Sequence, residues 1–89
     1  VNLSLGDPDF KTPAHICEAA KKAIDEGNYF SYPPVAGYQD LREALAAKYL
    51  RENNVPYKAE NIVVSNGAKQ SIANVMLALL NPGDEVIIF

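Results

Sequence analysis

Residues 62–76, IVVSNGAKQSIANVM, decide how this chain is read. Ile62, Val63 and Val64 form a β-branched run that predicts a buried strand. Ser65-Asn66-Gly67 predicts a tight turn, and a helix follows. Its apolar positions Ile72, Val75, Met76, Leu79 and Leu80 match the i, i+3, i+4, i+7, i+8 spacing of one helical face. A helix start exposes backbone N–H groups with the positive end of the helix dipole behind them. Gly67 lets the backbone pass close to a bound group. The first turn, Ala68-Lys69-Gln70, contains no acid. A lysine there works against the dipole, and an anion seated on the turn relieves the conflict.

The junction is the best candidate in the chain for a phosphate cradle. A plain strand–helix turn with a solvated lysine stands beside that reading. An exposed lysine so placed costs only about 0.3–1 kcal/mol, and salt screens it. The chain contains neither GxGxxG nor GxxxxGK[ST], so the turn is not one of the two familiar nucleotide loops.

Working outward, Asn81-Pro82-Gly83-Asp84 ends the helix and leads into a second apolar β-branched run, Val86–Phe89. Strand–helix–strand with short links predicts a βαβ unit with a parallel sheet and a right-handed crossover. The expected class is α/β. A continuous apolar run such as 86–89 belongs in a sheet covered on both faces. Nothing follows it here, and the chain reads as a piece that stops in mid-strand.

Two further helices precede the junction. For the first, Thr12 suits the N-cap and Pro13 the first helical position. Ile16, Ala20, Ala23 and Ile24 share a face, and Gly27 is a C-terminal stop. The second, about 39–53, turns Leu41, Ala44, Leu45 and Tyr49 inward. It places Asp40 and Glu43 in its first turns, the acidic bias missing at Gly67.

Composition narrows the function classes. The 89 residues can bury only a modest core, and a hydrophobic fraction of 48% is ordinary for a globular domain. Eleven acidic residues against eight scattered basic ones, net charge −3, argue against a nucleic-acid surface. The single cysteine, Cys17, excludes an internal disulfide framework and a multi-cysteine zinc site. In an apolar helical stretch it reads as a small core residue. No apolar run approaches the roughly 18–20 residues of a membrane span. The start, VNLSLGDPDF, does not resemble a signal peptide, so the expected setting is reducing and cytoplasmic.

Three other groups bear on chemistry. In Leu5-Gly6-Asp7-Pro8-Asp9-Phe10, the two aspartates are read as turn formers rather than metal ligands, since no His or Cys stands nearby. Gly6, before a proline-fixed turn, can offer an unhindered backbone N–H. The loop 29–38 carries four aromatics and two adjacent prolines. A tyrosine hydroxyl there can donate to a phosphate or carboxylate, and an exposed aromatic cluster suits packing on a partner subunit. His15 has no visible partner and reads as structural or exposed, so no Ser–His–Asp or Cys–His set can be argued. Lys69 could in principle form a Schiff base, but a dipole-positive helix start suits it better to holding an anion.

Taken together, Leu5–Phe10, Tyr32–Gly37, Asp40–Ala44 (DLREA) and Ser65–Gln70 (SNGAKQ) resemble the class I aminotransferases. The similarity is to the aspartate aminotransferase-like branch of the fold-type-I enzymes dependent on pyridoxal 5′-phosphate (PLP). It covers essentially the whole chain, in order and at compatible spacing. It implies the N-terminal part of a longer enzyme with the PLP-dependent transferase fold, a mainly parallel sheet flanked by helices. Residues 1–12 would line the substrate pocket, and 13–89 would begin the PLP-binding large domain.

The resemblance also implies roles. Gly67, Ala68 and Lys69 match the turn whose N–H groups hold the cofactor phosphate. Family members often carry Ser or Thr where this chain has Lys69. Tyr32, five residues before Gly37, matches the tyrosine that reaches the cofactor phosphate of the other subunit in a homodimer. Gly6 matches the glycine that meets the substrate α-carboxylate, and Arg42 takes a structural role. The family's Schiff-base lysine, ring-stacking aromatic, pyridine-nitrogen acid and carboxylate-gripping arginine match nothing in 1–89, so Lys69 is not the catalytic lysine. The implied activity is amino-group transfer between an amino acid and a 2-oxo acid. Rival readings are a PLP lyase or synthase, a non-catalytic phosphate-binding module, and a purely structural interaction domain.

Overall fold

The computed structural model describes Gly6 and residues 8–88; Leu5, Asp7 and Phe89, which figure in the readings above, lie outside the described residues. Two compact units divide the chain, Val1–Tyr32 and Pro33–Phe89.

The first unit is built on helix α1, Ala14–Asp25. Its N-cap is Pro13, one residue later than the sequence suggests, and no side chain caps it. Pro13 accepts instead through its own carbonyl, from the N–H groups of Ile16 and Cys17 at 3.0 and 3.2 Å. A proline can stand here because the first turn has no use for its missing N–H. The C-terminal end is a Schellman motif. Gly27, at φ +66°, donates to Ile24 O at 3.0 Å, and Asn28 donates to Ala23 O at 3.0 Å. Of the face expected to turn inward, Ala23 is half-buried, while Ile16, Ala20 and Ile24 are exposed. Cys17 is half-buried, its thiol donating weakly to Thr12 O at 3.8 Å.

The second unit contains helix α2, Gln39–Asn53, a 3₁₀ turn, Ala59–Asn61, and helix α3, Ala68–Leu79. Helix α2 has the bounds expected of it. Asn54 stops it in the left-handed region at φ +55°, which asparagine tolerates, and the Val55 N–H folds back to Tyr49 O at 3.2 Å. The buried face of α2 differs from expectation. Arg42, Leu45 and Ala46 are half-buried, whereas Leu41, Ala44 and Tyr49 are exposed. The cause is the 3₁₀ turn, which packs on α2 and covers the i, i+3, i+4 row through residue 42. The turn closes on itself through Lys58 N–H to Asn61 Oδ1 at 3.1 Å.

Helix α3 starts at the residue the sequence indicates, directly after Gly67. Its far end is a Pro-Gly turn in which Gly83 takes φ +99°. Asp84 donates to Asn81 O at 3.0 Å and accepts the Asn81 N–H on Oδ2 at 2.7 Å.

The α/β expectation is not met by the described residues, which contain three α-helices, one 3₁₀ turn and no strand. Ile62 is extended, but a strand is defined by its ladder. The N–H of Ile62 donates to Ala59 O at 3.1 Å and that of Val64 to Ala36 O at 3.0 Å, and among the described residues no backbone bond joins 62–64 to 85–88. A parallel sheet is covered on both faces, and no such cover is found among the described residues.

None of the described residues is fully buried. The apolar face of α3 stays open, with Ile72 and Val75 each 56% exposed and Leu79 71%. Together with Met76, Leu80, Val86 and Ser71 they line a mainly apolar groove. Among the described residues no helix is long and apolar enough to cross a membrane, and no three His, Cys, Asp or Glu side chains cluster as metal ligands.

Candidate functional site

The turn at Gly67 has the backbone geometry of an anion cradle. Gly67 is the N-cap of α3 with φ +87° and ψ 165°, a region essentially closed to residues with a side chain. A Cβ built on it would meet no atom within 4 Å, so the space in front of it is open. Glycine is required here by the backbone angles and not by crowding. Its own N–H is turned back to Ser65 O at 2.9 Å.

Helical hydrogen bonding begins with the Ser71 N–H, which donates to Gly67 O at 3.3 Å. The N–H groups of Ala68, Lys69 and Gln70 therefore lie ahead of the first intrahelical bond, at the positive end of the dipole. The first turn holds no acid and no side chain caps it at Gly67. The Lys69 side chain adds a cation to this end. Donors ahead of the first helical bond, a fixed partial positive charge and a lysine in the same turn are the features a phosphate group complements.

One contributor escaped the sequence reading. Gln70 at the third helical position accepts the Asn66 N–H on its Oε1, tying the turn to the helix it starts. A glutamine three residues into a helix is a known signal for reaching back to the preceding backbone, so the contact could have been anticipated.

The structure thus brings Gly67, Ala68 and Lys69 together on one turn of the second unit. Gly6 and Tyr32 stand in the first unit. Gly6 is exposed, with nothing within 4 Å of where a Cβ would be. Tyr32 is fully exposed at 101%, and the neighbouring Phe30 at 90%. His15 and Asp9 are exposed too. Arg42 is engaged structurally, its Nε donating to Ala59 O at 2.9 Å.

The family description "Aminotransferase class I and II" matches residues 1–89 of the chain. The chain belongs to the class I and II aminotransferases.

Similar proteins agree with that placement. The probable aspartate/prephenate aminotransferase of Rickettsia bellii is 52% identical over 88 residues, 99% of this chain and 22% of the relative. The aspartate/prephenate aminotransferase of Thermus thermophilus is 48% identical over 88 residues, again 99% of this chain and 23% of the relative. A solved structure of aspartate aminotransferase from Thermus thermophilus with maleate superposes with a TM-score of 0.87 at 46% identity. It covers 92% of this chain and 21% of that one. The chain spans roughly a fifth of the length of these relatives. The described residues nonetheless form no strand ladder.

Proposed function

We propose that the full-length protein is a PLP-dependent aminotransferase, and that residues 1–89 supply its phosphate anchor. The observation that carries the reading is the turn at Gly67: donors ahead of the first helical bond, no acid among residues 68–70, and open space in front. PLP, when bound, supplies the electron sink for amino-group transfer. The backbone N–H groups of the turn and the Lys69 ammonium would hold its phosphate, fixing the cofactor without taking part in bond making. The chain carries no residue assigned to proton transfer.

The finer parts of the reading follow from the same resemblance. Gly6 offers its backbone to the substrate α-carboxylate. Tyr32, fully exposed, reaches the phosphate site of a second copy in a homodimer. Residues 1–12 line the substrate pocket, and 13–89 open the large domain. The apolar runs 62–64 and 85–88 become strands of its mainly parallel sheet when paired with chain beyond these 89 residues. That remainder also covers the open face of α3. The setting is cytoplasmic, consistent with a single unpaired cysteine.

The relatives are named aspartate/prephenate aminotransferases, which makes aspartate and prephenate the first substrates to try on the full-length protein. They speak for transfer and not for a lyase or synthase, and family membership removes the ground for a non-catalytic module. The test is turnover by the purified full-length protein, with aspartate and prephenate as the first pair and other amino-acid/2-oxo-acid pairs after it. PLP-dependent transfer is expected; no transfer with any pair would overturn the proposal.

A further inference from the structure

The segment that ends in the Gly67 turn is pinned at two points to one short stretch of chain. At its start, Arg42 Nε donates to Ala59 O at 2.9 Å, seventeen residues away, and the arginine is half-buried. At its end, the Val64 N–H donates to Ala36 O at 3.0 Å. Beside that second bond Val64 lies over the bare Cα of Gly37. A Cβ on Gly37 would stand 2.8 Å from both Cβ and Cγ2 of Val64, closer than real Cβ contacts come. Gly37 also holds φ +97°, where a side chain is strained, and its N–H is fixed to Pro34 O at 2.8 Å. Residues 36–42 therefore grip residues 59–64 at both ends, and Ser65-Asn66-Gly67 departs from the second grip.

We infer that Gly37 and Arg42 are positioning residues for the anion turn: they set where the N–H groups after Gly67 point without touching the ligand. The inference rests on the phosphate reading above. Hydrogen bonds to a charged oxygen are directional, so a displaced turn loses them steeply. In the proposed reading the cofactor ring is held by groups outside residues 1–89. A failure of this grip should therefore fall on the phosphate and spare the ring.

The experiment compares the full-length apo-protein's affinity for PLP with its affinity for unphosphorylated pyridoxal. Wild type prefers the phosphorylated ligand. Gly37→Ala weakens PLP binding by about tenfold or more and leaves pyridoxal within about twofold, as expected for loss of a charged hydrogen bond. Arg42→Met acts in the same direction, and Arg42→Lys, which keeps a donor for Ala59 O, recovers most of the loss. If Gly37→Ala does not fold, the Arg42 pair decides alone. Inorganic phosphate gives a second readout: it raises the unfolding temperature of wild-type apo-protein and loses that effect in the variants. An unchanged ratio of the two affinities in either folded variant, or equal losses on both ligands, overturns the inference and leaves the grip a role in folding only. A wild type without preference for the phosphorylated ligand instead removes the phosphate reading itself.

Discussion

The side chain of Gln70 accepts the backbone N–H of Asn66, so the first turn of α3 closes over the loop that precedes it. The turn is thereby shaped before any ligand arrives, and the donors of Ala68 and Lys69 remain free for one. Gln70 does the tying with a neutral amide. A glutamate in its place would make the same contact and put a negative charge where the proposed phosphate would sit.

The two effects of that charge have opposite signs. Gln70→Glu should hold or raise thermal stability, because an acid at a helix start gains about 0.3–1 kcal/mol. The same substitution should weaken PLP binding by repelling the phosphate. Thermal melts and cofactor titration of the full-length variant check both halves. A rise in PLP affinity would speak against an anion at this turn.

Gly67→Ala is expected to cost about 1–3 kcal/mol, the usual penalty for a side chain in that backbone region. No neighbour would be struck, since the space is open. The loss should appear in denaturant midpoints and, more strongly, in PLP affinity, because relaxing the angles redirects the donors after it. Gly67→Val should be worse on both counts.

In the proposed reading Lys69 holds an anion and is not the reacting amine. Lys69→Ala should raise the dissociation constant for PLP by about three- to tenfold, the range for one partly exposed charged contact. With PLP saturating, kcat should stay close to wild type. A kcat reduced by several orders of magnitude in saturated enzyme would assign Lys69 to the chemistry.

On α2, Glu52 pairs with Lys48 and, at 2.7 Å, with Arg51 Nη2. Hydrogen bonding from Lys48, then from Arg51, holds its carboxyl below the usual glutamate value. A lowered folded pKa means the pairs contribute above the unfolded pKa, and the contribution disappears as pH falls through the folded one. The site is exposed, so the effect is small and salt weakens it. Carboxyl-carbon NMR titration should find Glu52 below ordinary glutamates in wild type and largely restored in Lys48→Met.

How much of this was legible in the sequence follows from how far each signal reaches. The bounds of α2 and the start of α3 were legible because Asp40, Asn54 and Gly67 act within a few residues of themselves. The cap of α1 moved by one residue because Pro13 accepts through its carbonyl while Thr12 contributes no cap. The inward face of α2 was misassigned because the 3₁₀ turn at Ala59–Asn61, not visible as an apolar pattern, covers the Arg42 side. Strands at 62–64 and 86–89 were expected from β-branched runs. A ladder, however, depends on partners remote in sequence, and no local pattern supplies them. At the site itself, the glycine turn and its acid-free helix start were readable from residues 67–70. The grip of Gly37 on Val64 was not, since it joins positions 27 residues apart through an absent side chain.

The central claim is that the turn at Gly67 holds the cofactor phosphate. The most direct test is a crystal structure of the full-length protein loaded with PLP. Phosphate oxygens should lie at hydrogen-bond distance, about 2.7–3.2 Å, from the backbone N–H groups of Ala68 and Lys69, directly after Gly67. A phosphate bound elsewhere, with those donors facing only water, would contradict it.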